Sequence, residues 1–246
     1  MAADLLLVVP FILVGAFLYS SVGHGGATVY LAVLTLAGFA VSELVTTVLV
    51  LNILAASIAF LMFSQAGHLR LRLLLPFVVT SVPAAYLGGF LPLSGTVQGI
   101  ILAAALALGG LRLLLFPTPP RIPAPQEGPA FIAVALVLGA VLGFLAGATG
   151  IGGGIFLSPL LLAFGWTDVR GAGSVASAFI VLNSLAALAA KLPRTPLDLG
   201  LLGPLAVTVC VGAVAGSFLG ARRFPSRALQ VLLGVVLLVA ALKAVI

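Results

Sequence analysis

Apolar residues follow one another from Leu5 to Ile246, interrupted only by short polar joints and by clusters of glycine. Breaking the chain at those interruptions gives ten apolar pieces, at about 5–22, 27–39, 44–64, 73–91 and 96–116, then about 129–148, 155–166, 173–190, 199–219 and 228–246. A helix needs roughly 20 residues to cross the hydrocarbon of a bilayer, so most pieces are predicted to be membrane helices. Pieces 27–39 and 155–166 fall short of that length. Each directly follows a glycine cluster and stands second in its half, which predicts an entering segment, a break and a short return. The longest polar interruption, Pro117 to Pro129, is a proline-rich linker. The expected organisation is a first repeat over 1–116, a linker over 117–128 and a second repeat over 129–246.

The two halves resemble each other in residues. Val22-Gly23-His24-Gly25-Gly26-Ala27 lines up with Thr149-Gly150-Ile151-Gly152-Gly153-Gly154, and Gly38-Phe39 falls on Gly165-Trp166 at the same offset. Leu51-Asn52 matches Leu182-Asn183 after a small insertion, Pro76 matches Pro204, and Leu87-Gly88 matches Ala215-Gly216. Five matches in one order point to duplication. Arg70 and Arg72 mark one joint of the first half, whereas Arg222, Arg223 and Arg227 mark the joint equivalent to the uncharged 92–95. Arg170 strengthens the same side, and Arg112 and Arg121 make the linker cytoplasmic. An odd number of crossings per half sends the second half in from the opposite side, with both termini outward and Lys191, Arg194 and Lys243 on the outer side. The predicted fold is an all-α polytopic membrane protein of two inverted-topology repeats. In each, a glycine-broken or re-entrant first pair of segments precedes three membrane helices.

Composition excludes the soluble alternatives. Hydrophobic residues make up 63% of the 246 and charged residues only 7%, against roughly a quarter charged in a soluble domain. The formal charge of +6 is scattered over the joints between apolar runs, which fits topology and anionic-lipid contacts and argues against nucleic acid. Cys210 is the sole cysteine, so no internal disulfide or thiol relay exists. Asp4 stands where a signal peptide would be basic, so 1–21 is expected to remain as the first membrane segment. The expected location is the bacterial inner (cell) membrane.

Gly23, Gly25 and Gly26, and Gly150, Gly152, Gly153 and Gly154, allow positive φ angles and close approach. A helix that starts after such a cluster presents unpaired N–H groups and a partial positive charge. In lipid these donors must face protein or a wet cavity. Two such starts related by inversion favour an anion; tight helix packing is the plainer use of the same glycines. Ser20, Ser21, Thr28, Thr149 and Ser158 flank the breaks, and Ser174 and Ser177 precede Asn183 on its helix; they are oxyanion donors or bonds back to their own helices. Asn52 and Asn183 are solute ligands or interhelical hydrogen bonds. His24 is a ligand and a proton carrier, or a histidine satisfied by backbone.

Gly143-Phe144-Leu145-Ala146-Gly147-Ala148-Thr149-Gly150-Ile151-Gly152-Gly153-Gly154, with Ser158-Pro159-Leu160-Leu161 and Gly216-Ser217-Phe218-Leu219-Gly220-Ala221-Arg222-Arg223, resembles the TauE/SafE, or sulfite exporter, family of membrane proteins. The first half departs from the pattern at His24 and Ala27, and the serine-proline pair has no copy at Leu31-Ala32. The resemblance implies export of a small sulfur-containing anion such as sulfite, thiosulfate or an organosulfonate. Without a P-loop the chain is not itself an ATP-driven motor. An anion channel is the main alternative. An intramembrane enzyme built on Ser174 lacks a following histidine to act as base. No catalytic residue, cofactor or metal is expected; the partners are the anion and membrane lipids, and a homo-oligomer is left open.

Overall fold

The computed structural model describes residues 2–91, 103, 107, 110, 111, 114, 115 and 128–243, and among them every regular element is a helix. The first half supplies α1 (Ala2–Ser21), α2 (Ala27–Leu36), α3 (Val41–Gln65) and α4 (Leu71–Gly89). The second supplies α5 (Pro129–Thr149), α6 (Gly154–Ala163), α7 (Val169–Lys191), α8 (Leu199–Arg222) and α9 (Ser226–Lys243). The piece expected at about 96–116 and the linker expected over 117–128 lie, but for isolated positions, outside the described residues. Within α3, and in α4, α5, α7 and α8, apolar stretches of 19 to 24 residues are long enough to cross a membrane. By contrast α2 and α6 have ten residues each, about 15 Å of helix, or half the hydrocarbon core.

Glycine stripes set how the long helices meet. Gly212, Gly216 and Gly220 of α8 stand against the backbone of Leu13, Phe17 and Ser21 of α1, so the two helices run parallel. Gly139, Gly143 and Gly147 of α5 stand in the same way against Phe77, Ser81 and Ala85 of α4. Lipid tails are as apolar as leucine, so close backbone approach is what draws such helices together. The long helices pack chiefly as α1 with α8, α4 with α5, α3 with α7, α3 with α8, and α4 with α7. Exchanging α1 with α5, α3 with α7 and α4 with α8 returns the same set. The exchange extends to residues: Gly88 abuts the Phe144 carbonyl, and Gly216 abuts that of Phe17.

Substitutions along α8 should separate packing from propensity. Nothing lies within 4 Å of a Cβ added at Gly203, whereas one at Gly220 meets the Ser21 carbonyl. Gly203→Ala should stabilise by about 0.5–1 kcal/mol through lost backbone entropy. Gly220→Ala should destabilise by about 1–3 kcal/mol through overpacking, read as opposite shifts in thermal unfolding in detergent.

Each short helix closes a hairpin. Phe39, just beyond α2, lines a cavity with Leu201 near the start of α8, the end at which parallel α1 also begins. Trp166, just beyond α6, packs edge-on to Phe131 near the start of α5, ring centroids 5.1 Å apart. Both short helices therefore return to the end their partners came from. α7 begins beside Trp166 and ends beside Arg194, so the two hairpins enter from opposite ends of α7. The basic joints gather at one of those ends. There His68 Nε2 donates to the Ala221 carbonyl at 3.1 Å, and Arg170 donates to the carbonyls of Gly220 (3.4 Å) and Phe224 (2.7 Å).

Candidate functional site

Positive-φ glycines make the breaks: Gly23 and Gly26 in the first, and Gly150, Gly152 and Gly153 in the second. The first is braced by Tyr30, whose hydroxyl donates to the Gly25 carbonyl at 2.7 Å. Gly25 itself lies so close to Asn52 of α3 that a Cβ there would strike Oδ1. That oxygen accepts the Ala27 N–H at 3.1 Å and so satisfies a first-turn donor of α2. Asn52 Nδ2 donates to Ser184 Oγ on α7 at 3.0 Å. A Cβ at Gly152 would stand 2.7 Å from both Asn52 Nδ2 and Ser184 Oγ. One carboxamide thus lies between the two breaks.

A second bridge runs beside it. His24 Nε2 and Ser158 Oγ share a 2.9 Å hydrogen bond whose direction follows the histidine tautomer, joining the first break to α6. His24, Asn52, Ser158 and Ser184 are each at most 1% exposed. The helix-capping glycines, Gly26 and Gly153, are left-handed and bring no side chain. The first-turn N–H groups and the positive ends of α2 and α6 are therefore directed at this region. Between the groups lies a cavity lined by Tyr19, His24, Thr28, Asn52 and isoleucines from the second half. It leaves about 10 Å³ for the centre of a water-sized sphere, room for roughly one water.

The remaining expected residues divide sharply. Thr28 lines the cavity, with Oγ1 donating to the Tyr19 hydroxyl at 2.9 Å. Ser20 Oγ reaches the His24 carbonyl at 3.4 Å. Ser21, Thr149 and Ser177 bond to carbonyls of Leu18, Leu145 and Ser174 in their own helices. Asn183 Nδ2 donates to the Phe179 carbonyl at 2.8 Å. Asn183 Oδ1 and Ser174 Oγ are buried without a hydrogen-bond partner among the described residues. Gly23 backs onto Gly173, Gly150 onto Val45, Gly153 onto Ala146 and Gly154 onto Ile180. Those four glycines permit packing, whereas Gly25 and Gly152 face the polar groups.

The family model described as "Sulfite exporter TauE/SafE" matches residues 7–244. The chain belongs to the TauE/SafE family. The "Probable membrane transporter protein y4hK" of Sinorhizobium fredii (strain NBRC 101917 / NGR234) is 31% identical over 231 residues, 93% of each chain. No solved structure matches the chain. As a TauE/SafE protein it is an integral membrane transporter of the bacterial inner membrane, working on a small solute in a lipid setting.

Two kinds of residue in this TauE/SafE chain escape a sequence reading. Ser184 adjoins Asn183, yet consecutive helical side chains point about 100° apart, so Ser184 bonds to Asn52 of α3 while Asn183 bonds to the Phe179 carbonyl of its own helix. Tyr19 and Tyr30 carried a usable signal: two of the chain's three tyrosines flank the first break.

Proposed function

We propose that the protein exports a small sulfur-containing oxyanion, namely sulfite, thiosulfate or an organosulfonate, bound where the two breaks meet. The observation that carries this reading is the pair of short helices whose positive ends face one buried cluster of hydroxyl, amide and imidazole groups. An oxyanion offers many acceptors and a diffuse negative charge, which such donors and helix ends satisfy together. The family description, which names sulfite, supports the same class. The two halves act as inverted-topology repeats, a reading supported by the exchangeable helix pairs and by hairpins entering from opposite ends. The end bearing Arg70, Arg72, Arg170, Arg222, Arg223 and Arg227 is cytoplasmic by the positive-inside rule. Space for one water does not hold a sulfur oxyanion, so binding requires the halves to part. That is how a carrier works, and an open channel does not.

Proteoliposomes loaded with unlabelled anion should draw in labelled sulfite, thiosulfate or isethionate by counterflow. Rates equal to empty liposomes for all three would refute the reading, and flux without counterflow would make the protein a channel. His24 is placed to carry a coupled proton. His24→Gln keeps a hydrogen-bonding group for Ser158 but removes the titration, so it should retain counterflow and lose acceleration by a pH gradient. Undiminished acceleration in that variant would remove His24 from coupling.

A further inference from the structure

A second cavity lies at the bundle end opposite the basic joints. It offers about 440 Å³ and is lined by Phe39, Leu44, Arg194, Thr195, Asp198 and Leu201, among others. Its cation is fixed at the rim: Arg194 Nη1 donates to the Phe90 carbonyl at 3.3 Å, with the guanidinium carbon 4.8 Å from the Phe90 ring centroid. Asp198, the acidic residue of the lining, has Oδ1 engaged by the Leu201 N–H at 3.1 Å, where it caps α8. Its charge is thereby set against the positive end of that helix.

The second break lies next to this cavity along the chain. Leu44 lines it, and the next residue, Val45, packs where a Gly150 Cβ would be, at 2.8 Å. Lys191 Cε lies 4.0 Å from the same point. One cation, Arg194, thus lines the cavity, and a second, Lys191, stands beside the second break. The corresponding corner of the other repeat is shut. Trp166, the counterpart of Phe39, packs against Phe77, Phe131 and Phe164 at centroid distances of 6.1, 5.1 and 4.7 Å. The Arg170 and His68 bonds to the end of α8 close the same side.

We propose that this cavity is an outer vestibule of the transport path, in which Arg194 holds a sulfur oxyanion and Lys191 passes it between rim and break. The proposal rests on the anion-carrier reading above. It makes the conformation described here open at the Arg194 end and closed at the basic end.

The test labels Thr195→Cys in a Cys210→Ser background with a membrane-impermeant methanethiosulfonate; Leu197→Cys serves if the first variant does not fold. Isethionate and sulfate are the protecting ions, because sulfite would consume the reagent. Labelling from the outer side should slow about tenfold in saturating anion, and Arg194→Gln should abolish that protection. In counterflow, Arg194→Gln should raise the outer KM about tenfold at unchanged kcat, with Arg194→Lys partly restoring it. Labelling indifferent to both anions, or a KM within about twofold of wild type, overturns the vestibule. Wild-type liposomes that move no anion overturn the carrier reading instead, while the protection result still decides whether this cavity binds anions.

Discussion

Replacing Gly25 by alanine is expected to abolish transport, by about a hundredfold or more, while leaving the protein folded in the membrane. Gly25 is not among the positive-φ glycines, so alanine meets no backbone penalty there. The added methyl group is driven onto Asn52 Oδ1 and stands 2.7 Å from the Asn52 carbonyl oxygen, so a lower melting temperature accompanies the loss of flux. The carboxamide must swing away, leaving the Ala27 N–H and Ser184 Oγ without the partner that now joins them. Gly152→Ala should show the same loss of flux with a larger loss of stability. Its methyl meets Asn52 Nδ2 and Ser184 Oγ, and its φ of 77° adds about 1–2 kcal/mol of strain. Gly38→Ala is the control. Its φ of 92° brings the strain, but nothing lies within 4 Å of the added carbon, so it should unfold earlier on heating and transport normally. Labelled-anion counterflow per folded molecule, read beside thermal unfolding, separates the three. Wild-type flux in Gly25→Ala would move the binding site away from the breaks.

Those glycines also show where a sequence reading reaches. The short pieces were legible because so few residues cannot span a bilayer, whatever they pack against; α2 falls within the expected 27–39, and α6 starts one residue before the expected 155–166. The breaks were legible because glycine clusters in lipid demand a buried or wet setting. Which glycines face the site was not legible, since that depends on the helix opposite: Gly23 meets Gly173 and Gly25 meets Asn52, two residues apart in one motif. The His24–Ser158 bond was hidden for a related reason. Duplication equates His24 with Ile151 and Ser158 with Leu31, so the pair joins two positions at which the repeats differ. A reading built on likeness between halves passes over contacts made of their differences. Lys191 and Arg194, which sit awkwardly with a positive-inside count, acquire a place only once a cavity is seen beside them.

Asn52 and Asn183 are equated by the repeat, yet their replacements are expected to diverge widely. Asn52→Ala removes the acceptor of a buried first-turn N–H and the donor to Ser184, both in the membrane interior. Leaving such groups unpaired costs about 1–3 kcal/mol each, so the variant should melt well below wild type and lose most of its flux. Asn183→Ala removes one bond from a side chain to the Phe179 carbonyl of its own helix. It also deletes an oxygen buried without a partner. Its net effect on stability should be within about 1 kcal/mol, and its transport near wild type. Asn52→Asp sharpens the comparison, because a carboxylate still accepts from Ala27 but brings negative charge to a site proposed for anions. That variant should remain better folded than Asn52→Ala and carry even less anion. Equal flux in the aspartate and alanine variants would mean that Asn52 only braces the helices and that the anion passes elsewhere. Combining Asn52→Ala with Ser184→Ala gives the remaining term. Residues that share one bond do not add, so the double variant should be less impaired than the two single losses summed.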